Sequence, residues 1–149
     1  MSNERFKAFS AVGLMLMREN NGKEEILLQK RQNTGYADGC YDFSATGHVE
    51  ESESMTEAVI REAKEELDIE VKKEDLEFIC MSHRNDREVY YVGYFKVSKW
   101  KGEPKINEPE KNEEIRWIDI DNIPEKIVPG RGNIVSNYKN GIKYDEFGW

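Results

Sequence analysis

Gly47-His-Val-Glu-Glu-Ser-Glu53-Ser54-Met-Thr-Glu57-Ala-Val-Ile-Arg61-Glu62-Ala-Lys-Glu65-Glu66-Leu-Asp68-Ile69 is the stretch on which the reading of this chain turns. Its second half predicts a helix over Ser54–Leu67. Ser52 or Ser54 can cap that helix, and Glu57 completes a capping box with Ser54. At about 100° per residue, Met55, Val59, Ala63 and Leu67 form one apolar stripe that packs on the rest of the fold. Glu62, Glu65 and Glu66 fall in a narrow arc beside that stripe. Like charges at these spacings cost a helix about 0.2–0.5 kcal/mol per pair. Partial desolvation at the apolar boundary raises the cost. A divalent cation reverses the sign of both terms, because hard cations take carboxylate oxygens. The face is therefore expected to cradle Mg²⁺, directly after a glycine turn at Gly47. The competing explanation, a solvated Glu/Lys/Arg helix, does not account for the fixed order of Gly47, Glu53, Arg61, Glu62, Glu65 and Glu66.

These residues resemble the box of the Nudix hydrolases. That box runs Gly, five residues, Glu, seven residues, Arg-Glu, an aliphatic, any residue, Glu-Glu, any residue, Gly, an aliphatic. Gly47, Glu53, Arg61, Glu62, Glu65, Glu66 and Ile69 stand at matching positions. Ala63 is smaller than the usual aliphatic, and Asp68 replaces the usual Gly. Asp tolerates a left-handed helix end, so this departure bears on stability rather than chemistry. The resemblance implies an α/β fold, a Nudix-type α/β/α sandwich around a mixed β-sheet. It also implies a Mg²⁺- or Mn²⁺-dependent hydrolase that cleaves the diphosphate linkage of a nucleoside diphosphate derivative. By position, Glu62, Glu65, Glu66 and the Gly47 carbonyl are the expected metal ligands. Arg61 and Glu53 are expected to pair and brace the loop–helix–loop. Glu65 and Glu66, with Arg61 and Glu53, make up the expected catalytic machinery.

Around the box, Lys7–Met17 reads as a buried strand and Glu25–Arg31 as a second, joined through the turn signal Asn20-Asn21-Gly22. Asn33–Gly39 is a glycine-containing loop, and Tyr41–Ser44 a short strand. Leu76–His83 and Glu88–Val97 read as paired strands. Trp100–Asn112 is a polar loop, and Glu114–Ile118 a strand with Trp117 inward. Gly132–Asn140 predicts a closing helix stopped at Gly141. The aromatic tail Tyr144–Trp149 is expected to dock on the body. An α/β sandwich around a mixed sheet follows from this order too.

The Glu108-Pro-Glu-Lys-Asn-Glu-Glu114 run offers a further acid. Relatives in the family often draw one from this region, and some triphosphate cleavers carry a similar run before a Trp. Glu113 is preferred to Glu114 as an added metal ligand or base. Arg31, beside Lys30 at a strand end, can hold a phosphate bidentately. Arg84 and Arg87 are further phosphate candidates. Tyr36, Phe43 and Tyr90 can stack on a base, with core packing as the alternative. Met81–Glu88 lacks the Pro that marks ADP-ribose cleavers and the Tyr that marks dinucleoside polyphosphate cleavers. The Glu-Pro-Glu-Lys-Asn run tilts the expectation to a nucleoside triphosphate, cleaved to monophosphate and pyrophosphate. ADP-ribose or a nucleotide sugar is the alternative, and a catalytically silent Nudix-fold nucleotide-binding module is the alternative of another class.

The 149 residues fit one domain, 1–149. Net charge is −8, which argues against nucleic acid or an anionic membrane as partner but not against a small nucleotide bound through metal. Cys40 and Cys80 stand apart and make no metal spacing with His48 or His83, so both are expected as free buried thiols. Met1-Ser-Asn-Glu-Arg is polar, and the apolar Ala8–Met17 is too short to cross a bilayer, so a cytoplasmic location is expected. Family members are often dimers, and a homodimer is expected on that resemblance.

Overall fold

β1 (Phe9–Asn20) organises the chain because it is buried on both faces. Val12, Leu14 and Leu16 enter one core, while Met15 and Met17 enter the other. The computed structural model describes residues 4–149; Met1–Asn3, part of the polar start noted above, lie outside the described residues. The strands are β2 (Lys23–Arg31), β3 (Tyr41–Phe43), β4 (Ala45–His48), β5 (Glu77–Asp86), β6 (Glu88–Val97), β7 (Asn112–Asp119) and β8 (Tyr144–Phe147). Two helices, α1 (Met55–Leu67) and α2 (Arg131–Asn140), complete the fold with a single 3₁₀ turn at Lys73–Asp75.

The sheet runs β3-β2-β1-β6-β5-β8, with β4 added to β1 and β7 to β2. It is mixed. β1 pairs β6 parallel and β5 pairs β8 parallel, and the other ladders are antiparallel. Val59, Ala63 and Leu67 of α1 pack into one core, and Ile134 and Val135 of α2 into the other. One helix on each side of the sheet makes the expected α/β/α sandwich.

Local chemistry sets most boundaries. Asn21 (φ 53°) and Gly22 (φ 77°) are both left-handed, the geometry that joins β1 to β2 through a tight hairpin. Ser54 caps α1, accepting from the Glu57 N–H while the Glu57 carboxylate accepts from the Ser54 N–H. Asp68 ends the helix in the left-handed region (φ 55°). Lys64 and Lys105 hold its carboxylate at 2.8 and 3.2 Å.

Four expectations need correction. Gly47, expected at a turn, lies inside β4 opposite Val12. The tail does dock, but as a strand, with Met81 facing Tyr144 and Arg84 facing Phe147. β7 starts at Asn112 rather than Glu114, because a bulge at Lys30/Arg31 extends its ladder with β2. Cys80 is free and buried; Cys40 is free but only half-buried. Trp117 is partly buried against the α1-side core, with the Arg18 guanidinium 4.2 Å over its ring. Among the described residues no helix is long and apolar enough to cross a membrane.

The cap predicts a measurable effect. Ser54→Ala removes one half of the box and should cost about 1 kcal/mol in urea unfolding, with an unchanged m-value.

Candidate active site

The carboxylate face of α1 meets the sheet at β4, and Gly47 is the reason it can. A Cβ built on Gly47 would fall 2.1 Å from Glu62 Oε1. A side chain at this position would have to displace the Glu62 carboxylate. Next to it, the Thr46 N–H donates to Glu66 Oε2 at 2.7 Å. Glu66 is 9% exposed, and burial pushes its carboxyl well above the ordinary range. Glu62 and Asp42 push in the same direction, while the Thr46 N–H and Gln29 oppose. Glu62 is also raised, by burial first, with Glu65 and Glu108 adding to it against Arg61.

Arg61 ties the face to the loop before it. Its Nε and Nη2 grip Glu53 from both sides at 2.8 and 2.9 Å. Nη2 also donates to the His48 carbonyl at 2.9 Å. Nη1 reaches Glu62 at 2.7 Å and Glu65 at 3.2 Å. The expected Arg61–Glu53 brace is therefore present as a contact, and Arg61 stands as the resident cation among the acids. Glu65 remains the exposed member of the three.

A hard divalent cation suits this donor set. Every side-chain donor is a carboxylate, and Glu62 and Glu66 are both drawn out of water and act on one another. Among the described residues, no three acidic, His or Cys side chains already converge as a finished ligand cluster. The carboxylates point instead to Arg61 and to the Thr46 N–H.

Two clefts flank the face and share Thr46 and His48 as a wall. The first, about 300 Å³, is lined by Ala11, Val12, Tyr36, Tyr90 and Val92 together with Arg84, Arg87 and Arg131. Its arginines are engaged. Arg84 donates to Tyr36 Oη and Asp86, Arg131 to Asp42 and Tyr94 Oη, and Arg87 lies over the Tyr36 ring. The second, about 440 Å³, is polar, with Gln29, Arg31, Asn33, Lys111, Asn112 and Glu66 on its walls.

Gly47, Glu66 and most of the expected substrate contacts border these clefts, whereas Glu53, Arg61, Glu62 and Glu65 do not line them. Arg31 lines the polar one, while Arg84, Arg87, Tyr36 and Tyr90 line the other. Phe43 is instead core, fully buried edge-on to Tyr94. Glu113 is 52% exposed and 3.7 Å from Lys30, and Glu114 accepts from Tyr41 Oη; neither lines a cleft. Lys111 and Asn112 from the same run do. The loop before them is tied across the end of α1, with Asn107 N–H donating to the Glu66 carbonyl and its side chain to that of Glu65. That places Glu108, rather than Glu113, close enough to act on Glu62. Nothing in the sequence pattern points to Asp42 and Arg131. They belong to no spaced motif and meet across 89 residues of chain.

Comparison with known proteins agrees with this geometry. A family model described as the NUDIX domain matches residues 7–138. The ADP-ribose pyrophosphatase of Methanocaldococcus jannaschii is 32% identical over 121 residues, spanning 78% of this chain and 69% of that protein. The NAD-capped RNA hydrolase NudC of Stutzerimonas stutzeri is 29% identical over 111 residues. That match spans 74% of this chain but only 37% of the relative's length. Among solved structures, a MutT NUDIX hydrolase from Burkholderia pseudomallei superposes with a TM-score of 0.72 at 25% identity, covering 86% of this chain and 97% of that one. The NUDIX domain of Shewanella oneidensis NrtR, complexed with ADP ribose, gives 0.72 at 16% identity, covering 93% and 91%.

The Arg61 brace carries a pH signature. Arg61 first, and the Glu50 N–H second, hold the Glu53 carboxyl down to about 2. A depressed carboxyl adds stability above its unfolded value and loses it as pH falls through the folded one. Wild type should therefore exceed Glu53→Gln in urea unfolding at pH 7. The gap should hold down to about 4.5 and close on approach to about 2.

Proposed function

The chain belongs to the Nudix hydrolase family, and within it we propose a Mg²⁺-dependent nucleoside triphosphate pyrophosphohydrolase that releases the monophosphate and pyrophosphate. That it is a hydrolase of nucleotide derivatives follows from the family; the triphosphate is our reading. The observation that carries it is the contrast between two clefts that share a wall beside the carboxylate face. One offers aromatic and aliphatic surface to a nucleoside. The other offers Arg31, Lys111 and side-chain amides to terminal phosphates. The scissile linkage then lies at Thr46–His48, next to Glu62 and Glu66.

On this reading Glu62, Glu65, Glu66 and the Gly47 carbonyl hold the metal, and Mn²⁺ is an acceptable substitute. A bound Mg²⁺ supplies neutralisation of phosphate oxygens and a water of lowered pKa. Arg61 keeps Glu62 and Glu65 in place and anchors the loop through Glu53. Glu65, exposed and already hydrogen-bonded on one side, is the carboxylate best placed to accept the proton of the attacking water. Glu113 and Glu114, directed to Lys30 and Tyr41, are less well placed, and Glu108 is the better candidate for an added acid. Positioning and charge stabilisation do most of the remaining work.

A second reading, ADP-ribose, is favoured by the Methanocaldococcus relative and by the amides of Gln29, Asn33 and Asn112, which suit sugar hydroxyls. The net charge of −8 supports a small nucleotide over an RNA or membrane-bound substrate. A single-domain protein, a homodimer and a cytoplasmic location complete the proposal.

The test is product analysis with Mg²⁺ across nucleoside triphosphates, ADP-ribose and nucleotide sugars. Pyrophosphate should appear from triphosphates, and Glu65→Gln and Glu66→Gln should each lower kcat by about 10²–10⁴-fold with unchanged circular dichroism. Turnover of ADP-ribose alone would transfer the assignment to the second reading. Near-normal rates in both variants would overturn the carboxylate roles.

A further inference from the structure

Asp42 is a buried carboxylate with two guanidiniums on it. It is 1% exposed, on β3 opposite Gln29. Its Oδ1 accepts from Arg131 Nε at 2.7 Å and from the Phe43 N–H at 2.7 Å, and its Oδ2 accepts from Arg31 Nη1 at 3.4 Å. The two arginines come from opposite sides. Arg31 closes β2 and lines the polar cleft; Arg131 opens α2 and lines the aromatic one. Each is steadied elsewhere as well. Arg31 donates to the Tyr36 carbonyl and Thr34 Oγ1, and Arg131 to Tyr94 Oη.

One carboxylate cannot neutralise two guanidiniums. The trio keeps a net charge of +1, shared between the clefts, in a medium where charge is weakly screened. We propose that Asp42 is a positioning residue that sets the aim of Arg31 and Arg131 at once, and so couples phosphate binding in one cleft to nucleotide binding in the other. The proposal rests on the two-cleft assignment of the substrate above. Its physical basis is competition. When an anion draws Arg31 forward, Asp42 is left to Arg131, and the converse also holds. Coupling of this kind is reciprocal in binding free energy.

The experiment is calorimetric titration of the protein with inorganic pyrophosphate and, separately, with AMP, GMP, CMP and UMP, all with Mg²⁺. Asp42→Asn, nearly isosteric, removes the shared carboxylate, so the cross-cleft losses of the two arginine variants should vanish in that background. The decisive variant is Arg131→Gln, which leaves Asp42 intact. Asp42 then draws Arg31 fully onto itself, so pyrophosphate should weaken about tenfold although Arg131 does not line that cleft. Arg31→Gln should weaken the monophosphate in the same way. Melting curves establish that each variant is folded, and should Asp42→Asn not fold, the two arginine variants decide alone. Affinities within twofold of wild type across the clefts would overturn the role of Asp42. Wild type that binds neither ligand would instead overturn the two-cleft reading itself, and this proposal with it.

Discussion

The bidentate grip of Arg61 on Glu53 is the interaction on which the site depends. It joins the exposed loop after β4 to the middle of α1, and the same guanidinium reaches the His48 carbonyl, Glu62 and Glu65. Arginine alone can do this, because a planar fork with five donors serves several acceptors without losing its charge. The position is costly. Three glutamates on one helical face repel, and Glu62 and Glu66 lose water as the helix packs. Arg61 offsets part of that cost and leaves the rest standing. A cation that displaces the Arg61 contacts on Glu62 and Glu65 enters a site already organised for positive charge.

Glycine at 47 and burial at 66 are two sides of that arrangement. The helix lies close against β4 where Thr46 donates to Glu66, and any side chain at Gly47 would displace the Glu62 carboxylate. Burial makes the charged form of the Glu66 carboxyl costly, and nearby positive charge would offset the cost. The apolar stripe of α1 sets the depth of this contact, since Val59, Ala63 and Leu67 are fully buried in the same core. Packing and chemistry are therefore one constraint here.

What could be read from the sequence was local. The capping box, the left-handed Asp68, the Asn21-Gly22 hairpin and both helices follow from short-range rules, and the structure agrees with each. The carboxylates were visible because a helix converts spacing into a shared face. Features that depend on distant partners were not visible. Gly47 looks like a turn residue until the helix that crowds it is known. The tail looks like a docking segment until β5 offers an open edge. Asp42 lies in a stretch whose polar residue could as well face water, and Arg131 opens a helix with no periodic signature. Glu113 stands out in the sequence only through a resemblance; it lies at the β7 bulge opposite Lys30/Arg31, and its side chain meets Lys30.

The two clefts concentrate cations within a chain of net charge −8, as the proposed polyanionic substrate requires. Its acids are spread over the surface and along α1, whereas Arg31, Arg84, Arg87, Arg131 and Lys111 gather at the walls beside that face. Buried or half-buried carboxylates hold several of these cations in fixed directions. Asp42 serves Arg31 and Arg131, and Asp86 serves Arg84. Charge held in place in this way loses little entropy when an anion binds, and fixed donors stabilise developing charge better than mobile ones. On the proposed reading, specificity resides less in the Nudix box, which would supply the metal-binding carboxylates, than in the arginine-bearing walls, which would meet the groups on either side of the cleaved linkage.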